Sequence, residues 1–231
     1  MEESFAIEKT SEDHFRRWLF NPFYYIAGGK ALGLGICFIL ATGVFVLLGD
    51  SVRLIGVLDF NLGVKPQASI LEIFSWGLIS WIVMGILLLI GGKIISKSRV
   101  RTLDVIGTQA LARFPYLVTA ILTLHPGTKR FAQLFESGAQ WQTHPTDVAV
   151  FVLTVFVGII MAIWMVSLMY RAFAVSCNVS GGKAISVFVA ALILGEAISK
   201  FIVIFIFINQ NPSWSDFLEL SFLQQVTVWA A

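Results

Sequence analysis

Charged residues are scarce in this chain. Only 13% of its 231 residues are Asp, Glu, Lys or Arg, whereas 57% are hydrophobic. A soluble domain carries about a quarter charged residues. The mean hydropathy of +0.83 implies more apolar surface than a single globular core of this size can bury. Lipid must therefore cover much of that surface, and one membrane domain accounts for nearly the whole length.

Cysteine and histidine are also rare, which excludes several kinds of site. The two cysteines, Cys37 and Cys177, provide neither a disulfide framework nor a metal-binding spacing. His125 and His144 lie in one loop without a third ligand, so we expect no metal site and no cofactor. The net charge of +2 gives no reason to expect a nucleic-acid partner. The expected partners are the lipid bilayer and a second copy or another membrane protein.

A secretory signal peptide is a further absence. The first 13 residues are acidic and contain no apolar core. The first apolar run is therefore expected to stay in the membrane as a permanent anchor.

Five apolar runs are long enough to cross a bilayer, which takes about 20 residues. The predicted spans are residues 31–49, 73–92, 105–124, 148–170 and 184–208. The third is the least apolar, because it contains Gln109, Arg113 and Pro115, but a Leu- and Ile-rich stretch of that length has little alternative. The predicted fold class is an all-α integral membrane bundle of five helices with short interfacial helices.

The distribution of lysine and arginine orients the bundle. Ten lie in segments on the side of the N-terminus and four on the opposite side. The N-terminal tail, residues 1–30, is therefore predicted to be cytoplasmic, and the tail 209–231 extracytoplasmic, in a cell (inner) membrane.

Three amphipathic stretches flank the spans. Residues 11–20 predict an interfacial helix, and residues 131–135 and 214–229 each place apolar side chains at helical spacing. Each stretch fits two arrangements, one on the membrane surface and one packed on the bundle.

Gly-Gly-Lys occurs three times, at 28–30, 91–93 and 181–183. A phosphate-binding loop requires Ser or Thr after the lysine, and Ala31, Ile94 and Ala184 stand there instead. The pattern indicates glycines that begin or end helices, beside lysines at the lipid headgroups.

Polar side chains inside the predicted spans are the sharpest functional signal. Gln109 and Arg113 are four residues apart on one helical face, as are Glu196 and Lys200. Because charged side chains are costly in lipid, they usually face the bundle interior and find partners. We therefore expect an ion pair between Arg113 and Glu196 that joins spans three and five, with a hydrogen bond from Gln109.

Three interpretations of this cluster remain open. It is a buried staple that fixes which helices pair, or a proton- or ion-coupled site near the bilayer midplane. In the third, Lys200 reaches the outer surface and Glu196 pairs only with it.

Small residues at four-residue spacing predict close helix packing. One such face is Gly33, Cys37 and Ala41 on span one, and another is Ala191, Gly195 and Ser199 on span five. Pro115 predicts a kink in span three near Arg113. Catalytic arrangements of Ser/His/Asp, Cys/His or paired carboxylates are missing, so the chain is not expected to be an enzyme.

Three motifs resemble the bacterial branch of the Yip family of Rab-interacting-type membrane proteins. They are Trp18-Leu19-Phe20-Asn21-Pro22-Phe23, Gly107-Thr108 with Arg113-Phe114-Pro115, and Gly181-Gly182-Lys183 before a span with Glu196 and Lys200. The resemblance implies five spans, a cytoplasmic N-terminus and a C-terminus on the far side. The charge count gives the same arrangement independently.

The resemblance also carries an expectation about function. Eukaryotic members of the family are non-enzymatic adaptors that bind Rab-type GTPases in vesicle trafficking or membrane shaping. This chain has a short N-terminal tail and Asn21-Pro22-Phe23 in place of an Asp-Leu-Tyr-Gly-Pro signature, which argues against Rab binding. We therefore expect a membrane scaffold or adaptor. The alternative is a small transporter or channel that uses the intramembrane Arg, Glu and Lys.

Overall fold

The computed structural model of the chain describes residues 19–49, 52–53, 57–58, 61–62, 69–137 and 144–208. Of the interfacial helix expected at residues 11–20, only Leu19 and Phe20 fall in these ranges, and both are helical. The helix expected at 214–229 lies outside them.

The described residues form helices and one small hairpin. A 3₁₀ turn at Pro22–Tyr24 precedes the first helix. The helices are α1 (Gly28–Gly49), α2 (Ile70–Ile95), α3 (Thr102–Leu111), α4 (Pro115–Leu122), α5 (Pro126–Ser137), α6 (Pro145–Cys177) and α7 (Gly181–Ile208). Two short antiparallel strands, β1 (Val52–Arg53) and β2 (Asn61–Leu62), pair between α1 and α2.

Five helical segments are long and apolar enough to cross a membrane, which confirms the predicted fold class. They are α1, α2, α3 with α4 as one segment, α6, and α7. We number them spans one to five. Each begins before the predicted span, at Gly28, Ile70, Thr102, Pro145 and Gly181.

Successive spans run in opposite directions. The start of α1 at Gly28 lies beside Asp104 and Gly107, and its end at Gly49 lies beside Thr123, so spans one and three are parallel. Gly91, near the end of α2, meets Val187 near the start of α7. One end of the bundle therefore gathers Lys30, Lys93, Arg101 and Lys183, and we call it the basic end. The other is the hairpin end, which carries β1 and β2.

Span three lies at the centre of the bundle although it is the least apolar of the five. About 67% of its most apolar window is buried inside the protein, against 33% or less for each of the others. It packs on α1, α2 and α6. Because its neighbours shield it from lipid, it can carry polar side chains that an outer helix could not.

Two glycines allow α1 and α3 to pack closely. A Cβ placed on Gly35 would lie 2.5 Å from the carbonyl carbon of Ala110, and one on Gly107 would lie 2.6 Å from the carbonyl oxygen of Gly28. Only a residue without a side chain fits at either position. The two backbones approach as they do at other small-residue crossings in membranes.

Pro115 interrupts span three, as predicted. It has no N–H and stands at the first residue of α4, so the carbonyl oxygen of Leu111 cannot receive the regular helical bond. That oxygen accepts instead from the N–H of Phe114 at 3.2 Å. The tighter turn at residues 112–114 separates α3 from α4 next to Arg113.

The repeated Gly-Gly-Lys marks helix ends, as predicted. Gly28 and Gly181 begin α1 and α7 with φ values of +58° and +77°, which suit glycine. Lys93 stands in the last turn of α2, where a cation interacts favourably with the helix dipole.

The loop before span four forms α5, which packs on α6. Phe131 is buried, with its ring centroid 4.3 Å from that of Phe151. Arg130 donates to both carboxylate oxygens of Asp147, at 2.8 and 2.7 Å, and this contact raises the pKa of Arg130 above its ordinary value. Of the two arrangements that the sequence allowed, the one packed on the bundle is correct for Phe131.

We expect Gly35→Ala to lower the free energy of unfolding by about 1–3 kcal/mol, because the added methyl group overpacks against the α3 backbone. Thermal unfolding of the purified protein in detergent measures this. Gly33→Ala is the matched control, since a Cβ there meets no atom within 4 Å. Equal melting temperatures for both variants would contradict the close contact between α1 and α3.

Candidate functional site

The hairpin places backbone inside the bundle. Val57, which lies between β1 and β2, is fully buried (0% exposed) and contacts Gly195 of α7. Its N–H donates to Oε2 of Glu196 at 2.7 Å, and the N–H of Leu58 donates to the same oxygen at 2.9 Å. Glu196 is about 22 Å from the start of α7 at the helical rise. The segment Val57–Leu58, which we call the hairpin tip, therefore reaches far into the membrane domain.

Glu196 joins the hairpin tip to α7, and Tyr116 joins the tip to span three. Besides the two bonds from the hairpin tip, its Oε1 lies 3.0 Å from Nζ of Lys200, one turn further along α7. On the opposite side of the tip, the hydroxyl of Tyr116 donates to the carbonyl oxygen of Val57 at 3.4 Å. Hydrogen bonds to a charged group are among the stronger ones in proteins. The carboxylate thus anchors the hairpin tip between spans three and five.

Arg113 does not form the predicted hydrogen-bonded ion pair with Glu196. Its Nη1 donates to the hydroxyl of Ser80 in α2 at 3.0 Å. Its Nε and Nη2 have no hydrogen-bond partner among the described residues, although the side chain is only 5% exposed.

Arg113 and Glu196 do not pair because of the way in which the helices pack. Span five packs mainly on α2 rather than on span three, and the hairpin tip bonds both to Tyr116 and to Glu196. The backbone N–H groups of the tip take the carboxylate oxygen that the guanidinium was expected to reach. The contact of Glu196 with Lys200 belongs to the third interpretation, but Glu196 does not pair with Lys200 only, because it also accepts from Val57 and Leu58.

Gln109 does not add the predicted hydrogen bond to an Arg113–Glu196 pair, and it joins a different helix from Arg113. Its Nε2 donates to the carbonyl oxygen of Met169 in α6 at 2.9 Å, whereas its Oε1 has no partner among the described residues. Trp81 of α2 similarly donates to the carbonyl oxygen of Ile106 at 3.0 Å. Side-chain hydrogen bonds therefore link span three to its neighbours on two sides.

A cavity adjoins Arg113. It has a volume of about 30 Å³ for the centres of water molecules, which is room for about two waters. It lies between α1 and α2, and span three contributes Arg113 and Tyr116 to its lining. Trp76 also lines it, and the buried indole N–H of this tryptophan has no acceptor among the described residues.

Of the two small-residue faces predicted from the sequence, the one on span five is buried and the one on span one is largely exposed. Ala191, Gly195 and Ser199 are buried, and Gly195 packs against Met84 and Val57, so that face is a packing surface as predicted. Gly33 and Cys37 are exposed, and Ala41 is half-buried. At Gly33 and Cys37 this second face is not covered by any of the residues that the structure describes.

The helix contact that α1 does make was missed from the sequence. Ala31 and Gly35 have the same four-residue spacing as Gly33 and Cys37, and both are buried. The spacing alone could not decide between the two registers. The hairpin tip was missed as well, because Val57 and Leu58 act through backbone N–H groups that leave no mark in a residue pattern.

The polar groups of the site determine which interactions it can make. The described residues contain no group of three or more His, Cys, Asp or Glu that could hold a metal ion. The polar groups near Arg113 and Glu196 are two cations, one carboxylate, and hydroxyl and indole donors. They can hold charge and hydrogen-bond an acceptor.

Comparison with known proteins gives no match: no family model, curated sequence or solved structure is significantly similar to this chain.

We expect Glu196→Ala to release the hairpin tip, because two buried N–H groups lose a charged acceptor. A single cysteine at Val57→Cys, with Cys37→Ser and Cys177→Ala, reports this through maleimide labelling. The labelling rate should rise about tenfold or more in the Glu196→Ala background. Glu196→Gln, which keeps one oxygen but no charge, should give an intermediate rate. Unchanged labelling in both backgrounds would show that the carboxylate does not anchor the tip.

Proposed function

We propose that this chain is a non-enzymatic, multi-pass scaffold or adaptor of the cell (inner) membrane, which works by binding another membrane helix. The resemblance to the Yip family in the entry motif, span three and span five supports this proposal. So does the arrangement of polar groups, since Thr108, Gln109 and Arg113 of span three bond to neighbouring helices.

The outward-facing side of α1 carries the proposal. Gly33 and Cys37 are exposed, and a Cβ added to Gly33 would meet no atom within 4 Å. Small residues four apart are the pattern by which helices approach each other in lipid. In α1 this pattern occurs twice, once buried against α3 and once unoccupied. The unoccupied one gives a partner helix a flat surface for close contact.

The proposal also includes the orientation of the chain in the membrane. The basic end carries the lysines and arginines of the loops and helix ends, and such residues favour the cytoplasmic side. We therefore place Gly28 and Cys177 near the cytoplasm and the hairpin on the far side. Asn21-Pro22-Phe23, which stands in place of an Asp-Leu-Tyr-Gly-Pro signature, argues against a Rab-type GTPase as the partner.

Cysteine crosslinking in native membranes tests the association. Cys37 and Cys177 are the two cysteines of the chain; Cys37 is exposed and Cys177 is buried. Mild oxidation should produce a crosslinked species with a second copy or another membrane protein. Cys37→Ser should abolish this species, and Cys177→Ala should leave it unchanged.

Gly33→Leu tests the same surface in a second way. The leucine side chain would occupy the space that a partner helix needs, without a clash inside the chain. Crosslinking should therefore fall at least about tenfold while the melting temperature is maintained. Gly182→Leu is the matched control, because a Cβ there also meets no atom within 4 Å but lies on α7. Crosslinking that survives Gly33→Leu would refute α1 as the contact surface.

A small transporter or channel is the second candidate, and the cavity beside Arg113 favours it. A solute path needs a space that water can enter next to charged side chains, and this cavity has such a space.

Flux measurements in liposomes separate the two candidates. For a scaffold we expect no ion or proton flux above that of empty liposomes, with or without Glu196→Gln. For a transporter, flux should appear with the unmodified chain and fall in Glu196→Gln. Flux of that kind would replace the scaffold proposal.

A further inference from the structure

The helix α5 is capped at its start by a histidine side chain. Nδ1 of His125 accepts a hydrogen bond from the backbone N–H of Gly127 at 3.1 Å, and Pro126 is the first residue of the helix. His125 is therefore the N-cap residue, a position at which Ser, Thr, Asp or Asn is usual. It satisfies one of the N–H groups that the first turn of a helix leaves without an intrahelical partner. Unlike those four residues, an imidazole changes its charge between about pH 5 and 8.

The capping bond requires the neutral form of the ring. Nδ1 accepts only while it carries no proton, so the proton of the neutral imidazole is on Nε2. When the ring takes up a second proton, both nitrogens become donors, and the N–H of Gly127 loses its acceptor. The positive charge then lies at the N-terminal end of α5, where the helix dipole is also positive. Protonation of His125 therefore removes the cap and adds a repulsion.

The carboxylate nearest to the ring is already paired. A Cβ placed on Gly127 would lie 2.8 Å from Oδ1 of Asp147 and 3.0 Å from Nδ1 of His125, so the imidazole and the carboxylate are neighbours. Both oxygens of Asp147 accept from Arg130, at 2.8 and 2.7 Å. A protonated ring thus meets the carboxylate together with the guanidinium, as a pair without net charge. Such a pair offers the ring little attraction to offset the lost bond.

The other titratable side chains around the cap are basic. Among the side chains described on α5 and in the first turn of α6, they are Lys129 and His144. Nδ1 of His144 lies 3.1 Å from the hydroxyl of Thr146, so this histidine bonds to a side chain rather than to the backbone of its helix. Neither residue supplies a negative charge that would stabilise a protonated His125.

The first turns of α5 also carry the contacts that hold this helix on α6. Thr128 is fully buried (0% exposed) and lies against Thr154. Arg130 and Phe131 follow within one turn, and they contact Asp147 and Phe151 as described above. The cap and the packing contacts therefore lie in the same short stretch of helix. His125 itself is exposed, so protons can reach it without any opening of the bundle.

We propose that His125 makes the attachment of α5 to α6 dependent on pH. At neutral pH the imidazole caps α5, and the first turns of the helix stay packed on α6. Below about pH 6 the ring is protonated, the cap is lost, and these turns open more often. The response goes beyond the scaffold proposal, because it needs no partner helix and originates at the hairpin end rather than on α1.

Hydrogen–deuterium exchange of the full chain in detergent tests the proposal. The exchange rates of the α5 amides at about pH 7.5 and pH 5 are divided by the intrinsic rates at each pH, which gives protection factors. Protection should be about tenfold lower at the acid pH, as expected for the loss of an N-cap. Amides in the middle of α6 serve as the internal reference and should keep their protection. Equal protection of α5 at both pH values would overturn the proposal.

Two substitutions of His125 separate the cap from other effects of acid. Asparagine is a strong N-cap residue that does not titrate, so His125→Asn should keep α5 protected at both pH values. Alanine cannot accept a bond, so His125→Ala should already show at neutral pH the lower protection that the unmodified chain shows in acid. An unchanged pH dependence in His125→Asn, or full protection in His125→Ala, would mean that the imidazole does not hold the helix.

His144→Asn is the matched control. His144 also precedes a proline at the start of a helix, but its side chain does not bond to a backbone N–H among the described residues. The pH dependence of α5 should therefore remain in this variant. Its disappearance in His144→Asn would assign the response to the other histidine and would overturn the role of His125.

Discussion

The bundle depends on one constraint, which is that the polar side chains of span three cannot face hydrocarbon. Gln109 and Arg113 would each cost free energy in lipid, and burying span three among α1, α2 and α6 avoids this. The close approach of α1 at Gly35 and Gly107 and the bonds from Gln109 to Met169 and from Arg113 to Ser80 all follow from this placement. The least apolar span is therefore the central one.

The hairpin tip meets the same constraint with its backbone. Irregular backbone at membrane depth persists only where its N–H and C=O groups are bonded within the protein. Glu196 accepts the two N–H groups of the tip, and Tyr116 donates to its carbonyl oxygen. A charge on span five thus stabilises a loop between spans one and two. The same arrangement leaves two nitrogens of Arg113 without a partner among the described residues.

The two sides of α1 differ in what covers them. Gly35 is buried against the backbone of α3, whereas Gly33 and Cys37 are exposed, with none of the described residues packed on them. Both sides have small residues four apart, which is the spacing by which helices approach each other in lipid. The exposed side therefore suits a second helix.

The sequence by itself determined the five spans, the break at Pro115 and the helix ends at Gly28 and Gly181, because length, apolar content and backbone chemistry are local properties. It also marked Gln109, Arg113, Glu196 and Lys200 as residues that must turn inward. Only the tertiary structure decided their partners. Helical spacing fixes the face of a side chain but not the neighbouring helix, and the backbone donors of Val57 and Leu58, which bind Glu196, are the same in every residue except proline.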